Sequence, residues 1–543
     1  MSSKQKSNVL VKNASFLMAA ALISKIVGLL YKSPLTHIVG ADGMAYYGLA
    51  QQAYMILLMI ASYSIPQAVS KIIAEKLAKG EYRNAQKYFK GSLLYAVVVG
   101  GAAALFCLAG AGILIPSNQQ GATLALRFLA PTIFMSGILG VYRGYFQAYR
   151  NMVPTSISQI LEQFANAAFS IVAAWLFIEF VAGSDKDSID RWGAAGGTIG
   201  TGVGVAAALG FVLVVYQLNR RIIRRKIVSD HTGRVESYWE VIEVILRMVT
   251  PIILSAFIYN VNGYIDGYLF SEILGKQGFE DEGIRMLYTE YSIYFLSIIN
   301  IPLTLSSAAP TSMIPEVSAA YAKKHMELAN FKIDQAVQLS MFISIPAAVG
   351  MAVLSQPIVR ILFPDTIGTA GLLLSVGAVT VILNGLSNIS NGVLQGIGMP
   401  NLPMRNAAIA LVVDVTSLVV MLLTTGLGIL AVVLAIIVYS VIICVLNDIS
   451  MKKFLGYKNK WVEAYLIPLM ASAPMALTAW LLFNGLYTLI PSNLLGLAVS
   501  VPAAAAVYIV LYIVFARVPE EQLQAFPFGS WLVRIAYLLR IYG

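Results

Sequence analysis

Charge is scarce in this sequence. Only 12% of its 543 residues are Asp, Glu, Lys or Arg, about half the share usual in a soluble domain, so the chain cannot cover a folded core with a solvated surface. Cysteine is nearly absent. Cys107 and Cys444 lie far apart in apolar runs, which argues against a disulfide framework or a thiolate metal cluster. His37, His231 and His325 are scattered without metal-ligand spacing. No G-x-x-x-x-G-K-[ST] loop occurs, which argues against ATP-driven transport by this chain. No Ser-His-Asp or paired-carboxylate site on a water-soluble scaffold can be drawn, and no hydrophilic interval is long enough for a separate soluble domain.

Apolar runs fill the space instead: the hydrophobic share is 58% and the mean hydropathy +0.76. A membrane span needs about 20 largely apolar residues. Fourteen such runs are expected, at about 10–35, 44–70, 91–115, 122–148, 154–180, 193–218, 240–270, 288–315, 334–355, 368–396, 402–424, 427–450, 462–489 and 493–516. The basic, then apolar start lacks a convincing small-residue cleavage site before Lys25, so it is expected to stay as the first span. The glycine run GAAGGTIGTGVG at 193–204 follows no strand. It predicts close helix packing through small residues, not a nucleotide loop.

The cations alternate along the chain. With both termini cytoplasmic, 28 of the 37 Lys and Arg fall in inside segments. These include Lys4, Lys6 and Lys12, the Lys71–Lys90 group, Arg143 and Arg150, the Arg220–Arg234 group, Lys452–Lys460, and Arg517, Arg534 and Arg540. Only Lys186, Arg191, Lys276, Arg285 and Arg360 fall outside. That is the positive-inside pattern. It explains the net charge of +10 without a nucleic-acid partner.

The chain also repeats itself. Gly144-Tyr-Phe-Gln147 with Pro154 returns as Gly392-Val-Leu-Gln395 with Pro403, 248 residues on. Ile65-Pro66, which opens a basic amphipathic segment, returns as Ile314-Pro315 after 249. The expected fold is an all-α polytopic membrane protein of about fourteen transmembrane helices: two pseudo-symmetric six-helix lobes plus two extra C-terminal helices. The expected divisions are 1–219, 220–455 (opened by a basic linker) and 456–543, the last ending in a tail suited to the membrane interface. Parallel repeats of this kind place a substrate path between lobes.

Particular residues carry a family resemblance. Ser64-Ile-Pro66-Gln-Ala-Val-Ser70-Lys71-Ile-Ile-Ala-Glu75 resembles the P-x-A-[IV]-S-K-x-x-A-E signature of SpoVB/YtgP polysaccharide-export proteins. The stretch YRGYFQAYRNMVPTSISQILEQ at 142–163 is similar to that branch too. Ser24-Lys25-Ile-Val-Gly28, continuing to Gly40, resembles the [ST]-[RK]-x-x-G…G element of MurJ-type flippases. The resemblance implies the multidrug/oligosaccharidyl-lipid/polysaccharide superfamily, alternating access, and undecaprenyl-pyrophosphate-linked sugars as cargo, with lipid II foremost. Where the MurJ branch has an arginine this chain has Tyr31, with Lys32 beside it, and the second span lacks that branch's arginine.

A pyrophosphate crossing a membrane cannot be left as a bare anion. Lys25 and Lys32, seven apart on one helix face, are therefore the expected cavity cations; snorkelling to the membrane surface is the other reading, of Lys32 first and of Lys25 as well. Arg143, Glu162, Gln147 and Gln163 are expected to line the inner half of the cavity or gate it by a Glu–Arg pair, or else simply to fix helix packing. Asp266, Asp414, Asn384, Asn388 and Glu290 are candidates for Na⁺ or H⁺ coupling, with the membrane potential as a further driving force. The alternatives for Asp266 and Glu290 are a structural network with Asn260, Asn262 or Tyr264, and exposure at the outer mouth. No cofactor is expected, nor catalysis. The expected setting is the bacterial cytoplasmic membrane, as a monomer in reach of cell-wall synthesis enzymes. A MATE-type drug/cation antiporter and a membrane glycosyl transferase are the competing classes. Capsule, teichoic or spore-cortex precursors are the competing cargoes.

Overall fold

The computed structural model describes residue 20 and residues 22–63, 65–230, 232, 235–311, 313–517, 519–524 and 529–538. Lys4, Lys6, Lys12, Ser64, His231, Arg234 and Arg540 lie outside the described residues. All regular structure among the described residues is helical. Two compact units form: residues 1–293 with 419–429, and residues 294–418 with 430–543.

Among the described residues, ten helices are long and apolar enough to cross a membrane, or eleven when the bent pair Thr369–Gly377 and Val379–Gly396 counts as one span. The expectation of fourteen exceeds this by three: the runs at 10–35, 240–270 and 288–315 are not among the spans so counted. The run at 10–35 begins outside the described residues. The run at 240–270 is divided at Val261 into the helices Tyr238–Asn260 and Asn262–Lys276. The run at 288–315 opens with a π-helical stretch, Glu290–Phe295, ahead of Leu296–Thr311.

In the first unit the glycine run decides the packing. Within the helix Lys186–Val228, a Cβ on Gly196 would lie 2.6 Å from both the Ala173 carbonyl oxygen and the Ala174 Cα. One on Gly200 would collide with Ser170 and the Asn166 carbonyl, and one on Gly204 with the Glu162 carbonyl. All these atoms belong to the helix Val153–Phe180. The small-residue stripe thus lets two backbones meet, as expected for association within lipid.

The two sequence repeats prove to be one joint, built once in each unit. In the first, a Cβ on Gly144 would lie 2.7 Å from the Pro66 carbonyl oxygen; in the second, one on Gly392 would collide with Ile314. The helices carrying the glycines end alike. Arg150 N–H donates to the Gln147 carbonyl (2.8 Å) and Asn151 N–H to Phe146 (3.1 Å); Gly398 N–H donates to Gln395 (3.1 Å) and Met399 N–H to Leu394 (3.0 Å). Both ends turn through a left-handed residue, Arg150 at φ 58° and Gly398 at φ 85°, which closes orphan helix carbonyls. Glycine adopts that conformation at little cost, whereas the arginine is held there against its preference. Of the shared residues, Gly144 makes the contact with Pro66, and Gln147 supplies a backbone carbonyl to the turn.

Candidate functional site

Lys25 and Lys32 share a helix. Residues 22–30 are helical, as is Lys32–Leu58. The ladder passes through Tyr31, whose N–H donates to the Val27 carbonyl and whose carbonyl accepts from Leu35 N–H, both at 3.1 Å. Lys25, Gly28 and Lys32 consequently lie on one face at the spacing of successive turns. Lys25 is exposed and Lys32 half-buried. Among the described residues no acidic group pairs with Lys25.

The helix Val153–Phe180 meets this face. A Cβ on Gly28 would be in contact with Gln163 Oε1 at 3.5 Å, and Ser24 Oγ donates to the Gln159 carbonyl (3.4 Å). Gln159 Oε1 is buried without a hydrogen-bond partner among the described residues. The structure thus brings Gln163 to the lysine face and adds Gln159, one helical turn earlier.

Arg143 and Glu162 form the other cluster. Arg143 Nη2 lies 2.7 Å from Glu162 Oε2 and its Nε donates to Ser158 Oγ (2.9 Å). Their side chains are 15% and 23% exposed, so the pair is partly screened. It ties the last turn of Ala122–Ala148 to the helix Val153–Phe180. Gln147 lies in that last turn, where its carbonyl accepts from Arg150. Replacing Arg143 or Glu162 by Gln strands a charge and should cost about 1–3 kcal/mol, between the exposed and buried limits. The double variant should lose less than the two singles together when thermal midpoints of the purified protein are compared. Strictly additive losses would show that the two residues do not stabilise the fold through one another.

A hydrogen-bonded chain missed by sequence reasoning lies behind the lysine face. Tyr31 Oη and Tyr47 Oη are 2.9 Å apart, Gln51 Nε2 donates to Tyr47 Oη (3.3 Å) and Thr201 Oγ1 (3.2 Å), and Thr201 Oγ1 donates to Asn166 Oδ1 (3.4 Å). Tyr31 is buried there at 7% exposure, so its position serves packing among three helices while the charge falls to Lys32. The signal was present in the sequence: polar residues recur three or four positions apart within apolar helices, at Glu162, Asn166 and Ser170 in one and at Thr198 and Thr201 in the next.

Cations expected outside also gather in the first unit. Asp42 Oδ1 accepts from Arg285 Nε (2.9 Å), and its Oδ2 lies 3.3 Å from Lys186 Nζ. Lys76, Lys87 and Tyr88, from segments expected inside, meet Glu236 instead. Beside them Asp230 accepts from Arg83 N–H (2.7 Å). Burial opposes its ionisation, yet the bonds from Arg83 and Thr232 hold its carboxyl below the ordinary range.

The ion-coupling candidates are divided between the units. Asp266 and Glu290 belong to the first, at 0% and 3% exposure; burial of Glu290 replaces the reading of an exposed mouth residue. Asn260 Nδ2 donates to the Ala256 carbonyl and Tyr264 Oη to the Leu114 carbonyl, both at 2.7 Å, so these donors serve the backbone rather than Asp266. Asp414, also at 0%, Asn384 and Asn388 belong to the second. Asn384 Oδ1 accepts from Ser440 (3.2 Å). A neighbouring amide network joins Asn406 to Asn447 (2.9 Å) and Asn447 to Asn391 (2.8 Å).

Long apolar helices that carry lysines, a partly buried ion pair and buried amide chains define a polytopic membrane protein. The family model described as "Polysaccharide biosynthesis protein" matches residues 10–320, more than half of the sequence, and the chain belongs to that family. The MatE model matches residues 290–420. The chain is 22% identical to Stage V sporulation protein B of Bacillus subtilis (strain 168), over 96% of this chain and 99% of that protein. It is 25% identical to Lipid II flippase MurJ of the same organism, over 75% and 76%. A solved structure of Lipid II flippase MurJ in an inward closed conformation shares the fold, with a TM-score of 0.65 at 15% identity, over 92% of this chain and 98% of that one. The superfamily resemblance carried by Lys25–Gly28 and Pro66–Glu75 thus holds for family and fold.

Proposed function

We propose that this protein is a flippase. Its cargo is an undecaprenyl-pyrophosphate-linked sugar precursor, lipid II foremost, moved from the inner to the outer leaflet of the bacterial cytoplasmic membrane by alternating access. The observation that carries this reading is the Lys25–Gly28–Lys32 face with Gln163 against it. A pyrophosphate headgroup needs cations and hydrogen-bond donors in place of water, and this face offers two ammonium groups and an amide. Gly28 leaves room for Gln163 to approach. The polyprenyl tail needs no site of that kind, because lipid already solvates it.

In this reading Arg143 and Glu162 hold the inner half of the pathway together while paired, and expose a cation when they part. Gln147 stays with the turn. Asp266, Asp414, Asn384, Asn388 and Glu290 are proposed for coupling to Na⁺ or H⁺, because buried carboxylates and amides suit a cation or proton that enters and leaves. The competing cargo, another polyprenyl-linked glycan, is favoured by the match to the family model described as "Polysaccharide biosynthesis protein".

Expression of this chain in cells depleted of their lipid II flippase tests the cargo. Restored growth is the expected result. A protein present in the membrane that restores nothing would reject lipid II and leave the other glycans.

A further inference from the structure

The helix Lys186–Val228 is longer than the membrane it is proposed to cross. Its 43 residues run to about 65 Å at 1.5 Å per residue, against roughly 40–45 Å for a bilayer with its headgroups. No charged residue lies between Arg191 and Arg220. That uncharged stretch measures about 44 Å. With Arg191 at one headgroup layer, Arg220 falls at the other.

Beyond it come Arg220, Arg221, Arg224, Arg225 and Lys226, all exposed. Lys226 lies over the Tyr149 ring, but among the described residues none of the five forms an ion pair. Basic residues elsewhere in the first unit do: Lys76 with Glu236, and Lys186 with Glu282. On the same stretch Leu218 and Ile222 are 76% and 55% exposed. At 100° per residue the four arginines cover an arc of about 140°, which Leu218 and Ile222 continue. The positive-inside rule accounts for cations at this end. It does not account for four guanidinium groups, without ion-pair partners among the described residues, set beside exposed leucine and isoleucine at or within about 8 Å of the headgroup layer.

That combination fits phosphate groups with acyl chains next to them, since arginine binds phosphate through paired N–H donors. The arc is too broad for one pyrophosphate and suits several headgroups at once. We propose that Arg220–Lys226 forms a docking surface for anionic phospholipids of the leaflet at that end, separate from the lysine face.

The test uses the purified full-length chain in vesicles of phosphatidylcholine alone or mixed equally with phosphatidylglycerol, with retained lipid counted by native mass spectrometry. Wild type should retain phosphatidylglycerol in preference. The variant Arg220→Gln/Arg221→Gln/Arg224→Gln/Arg225→Gln should lose that preference more than about ten-fold, since each basic residue near a membrane surface contributes roughly five-fold. If that variant fails to fold, the same four positions changed to Lys keep the charge but not the paired donors, and should retain part of the preference. A glutamine variant that keeps the full preference overturns the proposal. So does wild type with no preference. Displacement of the bound lipid by equimolar sodium pyrophosphate overturns it too, assigning the surface to a pyrophosphate headgroup.

Discussion

Alanine at Lys25 or Lys32 should abolish rescue of flippase-depleted cells while leaving the protein's abundance in the membrane unchanged. Charge-assisted hydrogen bonds are worth about 1.5–3 kcal/mol each, so loss of either ammonium should lower transport roughly ten- to a hundred-fold. Abundance should hold for Lys25 because it is exposed and, among the described residues, forms no ion pair; its removal leaves no acid stranded. Lys25→Arg should keep most of the activity, since it preserves the cation and adds donors. Rescue by Lys25→Ala/Lys32→Ala at the wild-type level would remove the cationic face from the mechanism. Loss of abundance in parallel with rescue would make these lysines structural instead.

Gly200→Leu should prevent accumulation of folded protein. The atoms it would strike, Ser170 N and the Asn166 carbonyl, are backbone of the helix Val153–Phe180, so no side-chain rotation can relieve the contact. Overpacking a core costs about 1–3 kcal/mol when side chains can yield, and a collision with main chain should cost more. Gly210→Ala on the same helix is the control, because a Cβ there meets nothing within 4 Å. Size-exclusion profiles of the detergent-solubilised variants after graded heating report the difference. A wild-type profile for Gly200→Leu would refute the close helix contact.

The fold was legible in the sequence where one physical demand dominates. Apolar length located most spans, and the glycine run at 193–204 declared a backbone contact because only small residues allow one. The repeated Gly-x-x-Q and Ile-Pro elements were visible as motifs. That they touch in each unit was not, since contact across some eighty residues leaves no local trace. Breaks near Val261 and at Glu290 stayed hidden, because π-helical and kinked stretches keep the same composition as straight helix. The basic group after residue 219 read as a linker, yet Arg220–Lys226 continue the helix, as their good helix propensity permits.

The site was legible where it is charged. Lys25, Lys32, Arg143 and Glu162 stand out in a chain with so few ions, and their spacing implied shared faces. The neutral chain from Tyr31 through Tyr47, Gln51 and Thr201 to Asn166 did not stand out, because its members come from three helices. Asn406 and Asn447 escaped notice for the same reason. Each is a lone amide in its span until folding pairs them.

The most direct measurement places the purified chain in vesicles with fluorescent lipid II and follows the fraction of headgroups exposed on the opposite leaflet. Na⁺ gradients, H⁺ gradients and a membrane potential are imposed in turn. The account predicts transfer above protein-free vesicles under at least one of these, and its loss in Lys25→Ala/Lys32→Ala. No transfer under any gradient, or transfer that persists without both lysines, would contradict it.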